Sequence, residues 1–133
     1  MTPITVLPDH LKKYIIPVFE RKALSVSALG LKDLTSYTDV IVIVEAASHR
    51  QVTSLAQHLI KRMKELKIKS IGEEGVKEGE WALLDYGDIV IHIFESEAKS
   101  FYDLEGFWAD APVFDLSEFD NMTHKQGEKD DDD

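Results

Sequence analysis

Asp85, Asp88 and His92 are the side chains whose types and spacing come closest to supporting chemistry. Two carboxylates and an imidazole could bind a divalent cation or exchange protons with a substrate. Two carboxylates three residues apart across a turn need not converge, however, and an Asp in a Tyr-Gly-Asp turn commonly bonds its own backbone. We therefore favour a structural or interface role for these residues over catalysis.

The usual signatures of three large enzyme classes are missing from the sequence. There is no GxxxxGK[ST] phosphate loop, no GxGxxG motif and no HExxH motif. The absence of cysteine excludes disulfides, thiolate zinc sites, iron–sulfur clusters and cysteine nucleophiles. The five histidines show no HxH or HxxxH spacing, so a histidine metal site is not expected. We predict no catalytic residue, no metal and no cofactor.

An aromatic patch inside an acidic rim is the more informative feature. Trp81 follows the charged loop EEGVKEGE and opens a predicted hairpin, so we expect it at a sheet margin. Aromatic anchors inside a charged rim are typical of a protein-binding hot spot. In the alternative interpretation, Trp81 covers one end of the core and His92 is a half-buried packing residue. The predicted partner-binding residues are Trp81, Tyr86, Asp88, His92 and Phe94.

The first half of the chain predicts two helices and two strands. Apolar residues spaced by three and four predict a first helix over 9–23, kinked or split by Pro17. Residues 26–31 predict a short strand, and the run VIVIV at 40–44 predicts a strand covered on both faces. After Ser48, which can cap a helix, apolar residues recur at helical spacing as far as Leu66, opposite a basic face.

The second half predicts the hairpin that carries the aromatic patch. Residues 68–71 predict a short strand, followed by a polar loop over 72–79. Only three residues separate the strand-like segments 81–85 and 89–94, so these strands should be antiparallel. Residues 95–108 predict a last helix. The predicted fold class is therefore α/β, with a mixed sheet and flanking helices.

Charge is distributed unevenly along this 133-residue chain of net charge −10. Residues 1–72 carry net charge +5, residues 73–114 carry −9 and residues 115–133 carry −6. The excess of carboxylates argues against DNA or RNA as the main partner, and an acidic half suits a basic protein. Alternatively, the acids only keep the domain soluble. We predict a domain over 1–114 and a largely disordered acidic tail over 115–133.

Location can also be predicted from composition. No apolar run approaches the roughly 20 residues that cross a bilayer, so no membrane association is expected. The amino terminus lacks the pattern of a secretory signal, and the absence of cysteine fits the cytoplasm. We expect a cytoplasmic protein.

The segment WALLDYGDIVIHIFESEAKSFYDLEGFW, residues 81–108, closely resembles the ribosomal silencing factor family, also called RsfS or Iojap-like proteins. The resemblance lies in the tryptophan, the Asp-aromatic-Gly-Asp turn, the strand with an internal histidine and the Tyr-x-Leu-Glu segment. Upstream, TSYTDVIVIVEAASHRQVTSLAQHL at 35–59 is similar to the family's second strand and following helix, and 72–75 resembles its G-x-E-G loop.

The resemblance implies a translation repressor without catalysis. Members of the family resemble nucleotidyltransferases in fold but lack their active-site carboxylate pattern. The resemblance implies binding to the large ribosomal subunit through ribosomal protein L fourteen, which blocks the small subunit when nutrients run short. Trp81 is the partner-binding residue it supports best, followed by Tyr86 and Phe94. The alternative is a metal-dependent nucleotidyltransferase using Asp85 and Asp88, and a homodimer of the free protein is left open.

Overall fold

A seven-stranded mixed sheet forms the centre of the protein in the computed structural model, which describes residues 4–120. The strand order is β1-β7-β2-β3-β6-β5-β4, with β1 parallel to β7, β3 parallel to β6 and the other pairs antiparallel. The strands are β1 (Ile4–Val6), β2 (Ser25–Gly30), β3 (Val40–Ala46), β4 (Gly72–Glu74), β5 (Trp81–Asp85), β6 (Ile89–Glu95) and β7 (Val113–Asp115). The helices are α1 (Lys12–Phe19), α2 (His49–Glu65), α3 (Ser96–Tyr102) and α4 (Leu104–Phe107), with 3-10 turns at Asp9–Leu11 and Ser117–Phe119.

Helices cover both faces of this sheet. The β-branched run of β3 lies between β2 and β6, and its five residues from Val40 to Val44 are buried. Alternate residues of β3 enter two separate apolar clusters, since Val42 packs in the layer of α1 and α2 and Ile43 packs in the layer of α3 and α4. The predicted α/β class, the mixed sheet and the β5–β6 hairpin are confirmed.

Helices α1 and α2 differ in how closely their ends match the ends predicted from the sequence. Helix α2 begins where predicted, because the Ser48 side chain accepts a hydrogen bond from the Gln51 amide. Helix α1 is shorter than predicted and ends at Phe19. Pro17 lies inside its last turn and does not split it. The amide that Pro17 lacks would have donated to the Lys13 carbonyl, so the helix is one internal hydrogen bond short at that point.

The strand predicted over residues 68–71 is wrong, because Ile68 completes the end of α2 and no strand forms between it and Gly72. Lys67 adopts a left-handed conformation with φ of 63°. The Ile68 amide then donates to the Met63 carbonyl over 2.8 Å, and the Lys67 amide donates to the Lys64 carbonyl over 2.9 Å. This pair of bonds is a Schellman cap. The strand begins instead at Gly72, inside the predicted polar loop, and pairs with β5.

The single last helix predicted over 95–108 is also wrong. Strand β6 continues to Glu95, and Asp103 interrupts the helix with φ of 46° and ψ of 57°. The Asp103 carboxylate accepts a hydrogen bond from the Gly106 amide over 3.1 Å, so the residue that ends α3 also caps α4. The break turns the chain and changes which side chains share a face.

The carboxy-terminal boundary predicted after residue 114 needs correction. Residues 113–115 form β7 beside β1 and β2, two edge pairings that periodicity did not predict. Phe119 is only 4% exposed, and its ring stacks on Phe19 with centroids 5.5 Å apart. Burial of this aromatic ring anchors residues 115–120 to the domain. The rest of the predicted tail, residues 121–133, lies outside the described residues.

Candidate functional site

Trp81 owes its position to a glycine turn and to the alternation of β5. Gly75 has φ of 74°, and a Cβ at that position would collide with the Trp81 carbonyl, so the turn before β5 requires glycine. Along β5, Ala82 and Leu84 are buried in the layer of α1 and α2. Trp81 and Leu83 therefore point to the other face, where they are half-buried against the layer of α3 and α4.

Aromatic rings from the hairpin and α3 form a continuous cluster around Trp81. The Trp81 ring lies 4.8 Å from Phe94, its cross-strand partner, and 4.6 Å from Tyr102. Phe101 meets Tyr102 edge-on at 5.0 Å. Phe101 is 79% exposed and Tyr102 is 43% exposed, whereas Trp81 is half-buried. We call Trp81, Phe101 and Tyr102 the aromatic surface.

Acidic residues flank the aromatic surface in the chain. Glu80 is exposed and immediately precedes Trp81, and its carbonyl accepts a hydrogen bond from the Glu95 amide. Glu97 and Asp103 are exposed at the two ends of the segment that holds Phe101 and Tyr102. Carboxylates therefore neighbour the aromatic surface in the chain, a composition that favours a cationic partner.

A hydrogen bond to His92 orients the Trp81 indole. The Trp81 Nε1–H donates a hydrogen bond to His92 Nδ1 over 3.0 Å. Because an indole N–H can only donate, Nδ1 must be the acceptor and the ring proton must lie on Nε2. His92 is 5% exposed, and burial lowers its pKa to about 4. The imidazole is therefore neutral at pH 7 and fixes the orientation of Trp81.

The buried neutral His92 should make stability depend on pH. As the pH falls below about 6.5, the unfolded chain binds a proton that the folded chain does not accept until about pH 4. The wild type should therefore lose up to about 3 kcal/mol of unfolding free energy from this residue between pH 7 and pH 4. His92→Asn keeps an acceptor but cannot titrate, and it should show a shallower decline in urea unfolding. Parallel pH curves for the two proteins would contradict this assignment.

The α3–α4 corner beside the aromatic surface is tied to the sheet by Glu105. Its carboxylate accepts hydrogen bonds from Lys99 Nζ over 2.8 Å and from Ser27 Oγ over 2.6 Å. Burial acts to raise the pKa of Glu105, but these hydrogen bonds outweigh it and lower the pKa. The ionised carboxylate thus connects α3 and α4 to β2, which restrains the helix that presents Phe101 and Tyr102.

The structure brings together only some of the predicted partner-binding residues. Trp81, His92 and Phe94 form one cluster, but Phe94 is fully buried, so it supports Trp81 from inside the core. Tyr86 does not belong to this cluster. It packs in the layer of α1 and α2 with its ring 5.2 Å from Tyr14, and burial, followed by the nearby Glu73 and Tyr14, raises its pKa to about 12.

The two aspartates considered for catalysis lie at the turn of the hairpin, where both accept hydrogen bonds from backbone amides. Asp85 Oδ1 accepts a hydrogen bond from the Gly87 amide over 2.8 Å, and Gly87 has φ of 90°. The exposed Asp88 accepts hydrogen bonds at its backbone carbonyl from the amides of Asp39 and Val40. Asp88 is thus at the end of β5 opposite to Trp81. Within residues 4–120, no group of three or more His, Asp or Glu side chains could hold a metal ion.

Phe101 and Tyr102 are the residues that sequence reasoning missed. The helix predicted over 95–108 places both on one side together with Ala98. In α3, however, Ala98 is buried, whereas the rings of Phe101 and Tyr102 are exposed. An adjacent Phe-Tyr pair before an Asp-Leu-Glu segment was the available signal, since only one of two neighbouring helical residues can face the core fully.

The comparisons with a family model, with relatives and with a solved structure agree with one another. The model of the family described as "Ribosomal silencing factor during starvation" matches residues 7–133. A ribosomal silencing factor from Zymomonas mobilis is 40% identical over 112 residues, covering 80% of this chain and 84% of its own length. One from Halalkalibacterium halodurans is 35% identical over 99 residues, covering 74% and 85% respectively. A crystal structure from Bacillus halodurans matches with a TM-score of 0.72 and 31% identity, over 81% of this chain and 98% of that one.

Proposed function

Because this chain belongs to the ribosomal silencing factor family, we propose that it binds the large ribosomal subunit and represses translation without catalysing a reaction. The observation that carries this proposal is the aromatic surface, in which large exposed rings are held in fixed orientations beside carboxylates. Rigid aromatic anchors of this kind supply binding energy at little cost in side-chain entropy.

The partner that best fits this surface is a basic ribosomal protein, and we name ribosomal protein L fourteen on the basis of the family resemblance. Residues 73–114 carry net charge −9, which would attract a basic surface and orient the encounter. Trp81, Phe101 and Tyr102 would then enter apolar pockets between the partner's cations. Asp88, at the far end of the hairpin, would contact only the margin of such an interface.

Repression would follow from steric exclusion. A 15.1 kDa domain bound to the joining face of the large subunit would prevent the small subunit from docking, and no turnover would be needed. We propose that the protein acts in this way in the cytoplasm during nutrient limitation. No helix among the described residues is long and apolar enough to cross a membrane. A homodimer of the free protein is a separate proposal, which sedimentation velocity tests.

The protein should co-sediment with isolated large subunits and not with small subunits. The physical reason is that the proposed partner belongs to the large subunit alone. Purified protein, mixed with each subunit and spun through a sucrose cushion, provides the measurement. Adding it to large subunits before small subunits should also lower the yield of joined ribosomes in a gradient.

Two outcomes would contradict the proposal at different levels. Equal binding to both subunits, or binding to neither, would remove the ribosomal assignment. Binding with an unchanged yield of joined ribosomes would remove only the steric mechanism. The alternative of a nucleotidyltransferase is tested in the same preparation, because metal-dependent nucleotide transfer that is abolished by Asp85→Asn with Asp88→Asn would contradict the noncatalytic role.

A further inference from the structure

The layer of α1 and α2 is strongly basic in a protein whose net charge is −10. Residues 12–22 and 49–69, which contain both helices, carry ten Lys and Arg against only two acids, Glu20 and Glu65. The acidic residues are concentrated in the hairpin, α3, α4 and the carboxy-terminal segment. At the α1 end of this layer, Glu118 of the carboxy-terminal segment forms an ion pair with Lys12, so the basic charge considered below is that of α2.

The outward side of α2 presents a continuous polar and basic stripe. Its inward residues, including Val52, Leu59 and Met63, are buried in the core. Spacings of three and four place the following residues on the opposite side of the helix: Arg50, Ser54, Gln57, Lys61 and Lys64. Lys61 and Lys64 are exposed. The stripe covers 14 residue steps, or about 21 Å of helix.

The two acids of this layer do not neutralise the stripe. Glu20 forms an ion pair with Arg62 and accepts a hydrogen bond from His58 Nε2, and Glu65 lies 3.5 Å from Arg62 Nε. Burial acts to raise the pKa of Glu20, but the hydrogen bonds from Arg62 and His58 outweigh it and lower the pKa. Both carboxylates are therefore directed to Arg62. In the described part of the chain, Lys61, Lys64, Lys67 and Lys69 form no ion pair.

A shallow cleft of about 340 Å³ lies beside the stripe and has polar walls. Its lining includes the side chains of Ser54, Gln57, His58 and Lys61. Gln57 and Lys61 can donate hydrogen bonds to phosphate oxygens, whereas His58 is bonded to Glu20 and Arg21 and the lining carboxylate of Glu65 lies beside Arg62. The stripe itself carries no exposed apolar or aromatic side chain of the kind that inserts into a bilayer interface. Its chemistry is that of a phosphate-backbone contact rather than a lipid contact.

We propose that the outward face of α2 contacts ribosomal RNA through its phosphates, independently of sequence. The proposal rests on the proposed function, because it assumes that the target is a particle made of basic protein and RNA. The aromatic surface and the stripe lie on opposite sides of the sheet, so one can engage protein while the other faces RNA. Each charge sign then meets its complement, and either surface placed on the wrong component would be repelled.

Lys61→Gln with Lys64→Gln tests the proposal against a matched control. The control, Lys32→Gln with Lys77→Gln, removes two exposed lysines that lie outside α1 and α2 and changes net charge equally. Binding to protein-free ribosomal RNA of the large subunit is measured by filter retention at several salt concentrations. Losing two phosphate contacts should make the slope of log K against log salt about 1.4 to 1.8 shallower and weaken binding at low salt about tenfold. The control should keep the wild-type slope.

Isolated large subunits and lipid vesicles complete the test. Lys61→Gln with Lys64→Gln should also flatten the salt dependence for large subunits, whereas Trp81→Ala should lower affinity without changing the slope. Identical RNA affinities and slopes for the lysine variant and its control would overturn the proposal even if large subunits are bound. Tighter lysine-dependent binding to phosphatidylglycerol vesicles than to RNA would overturn it in favour of a membrane contact. Failure to bind subunits, with RNA binding intact, would contradict the proposed function and not this inference.

Discussion

Trp81→Ala should weaken binding to the large ribosomal subunit by about 30-fold or more, which corresponds to about 2 kcal/mol. The indole is the centre of the aromatic surface, since it contacts Phe94 and Tyr102 and is oriented by His92. Its removal would delete one anchor and release the Tyr102 ring from its packing partner. Affinity is measured by titration of labelled protein with purified subunits.

The fold should survive this substitution. Trp81 is half-buried at the margin of the sheet, so its loss should lower the melting temperature without abolishing the cooperative transition. Leu66→Ala is the matched control, because Leu66 is an exposed apolar residue at the end of α2, outside the aromatic surface. It should bind as the wild type does. If Trp81→Ala loses its folded circular dichroism spectrum together with binding, Trp81 is a core cap and not an anchor.

Phe94→Ala should lower the unfolding free energy by about 3 to 5 kcal/mol. Phe94 is fully buried in the middle of the α3–α4 layer, and its removal would leave a cavity beneath Trp81. This is among the largest stability losses expected for any single change in this domain, because a loss of this size is a large part of the stability of a small protein. Urea unfolding followed by fluorescence provides the measurement.

The variant Phe94→Leu distinguishes a buried role of Phe94 beneath Trp81 from direct contact between Phe94 and the partner. Leucine keeps most of the buried volume, so the protein should remain folded with a smaller loss of stability. Because Phe94 exposes no surface, its leucine variant should bind large subunits within about threefold of the wild type. A loss as large as that of Trp81→Ala, at nearly unchanged unfolding free energy, would show that Phe94 contacts the partner after a rearrangement.

Of the predicted patch, the structure brings Trp81, His92 and Phe94 together and leaves Tyr86 and Asp88 elsewhere. Trp81 and Phe94 share a face because they are cross-strand partners in the hairpin. Tyr86 was grouped with them by its aromatic character, although it lies five positions after Trp81 and strict alternation already assigns it to the other face. The register of the hairpin thus decides the cluster, and residue type alone does not.

By itself the sequence determined the elements whose signals are local. A run of β-branched residues defined β3, a serine cap and apolar spacing defined α2, and a three-residue connection defined the antiparallel hairpin. Charge composition defined an acidic half and a basic helix face, since charges follow directly from residue identity. The motif at 81–108 was specific enough to indicate the family, which the family model confirms.

Only the tertiary structure decided the features that depend on distant partners. Strands β1 and β7 pair across more than a hundred residues, and Phe119 is buried because Phe19 offers a ring to stack on. The left-handed Asp103 ends α3 and redirects the chain into α4, although the spacing of apolar residues suited one continuous helix. In each case the local sequence permits several conformations of similar energy, and burial against residues far away in the chain selects one of them.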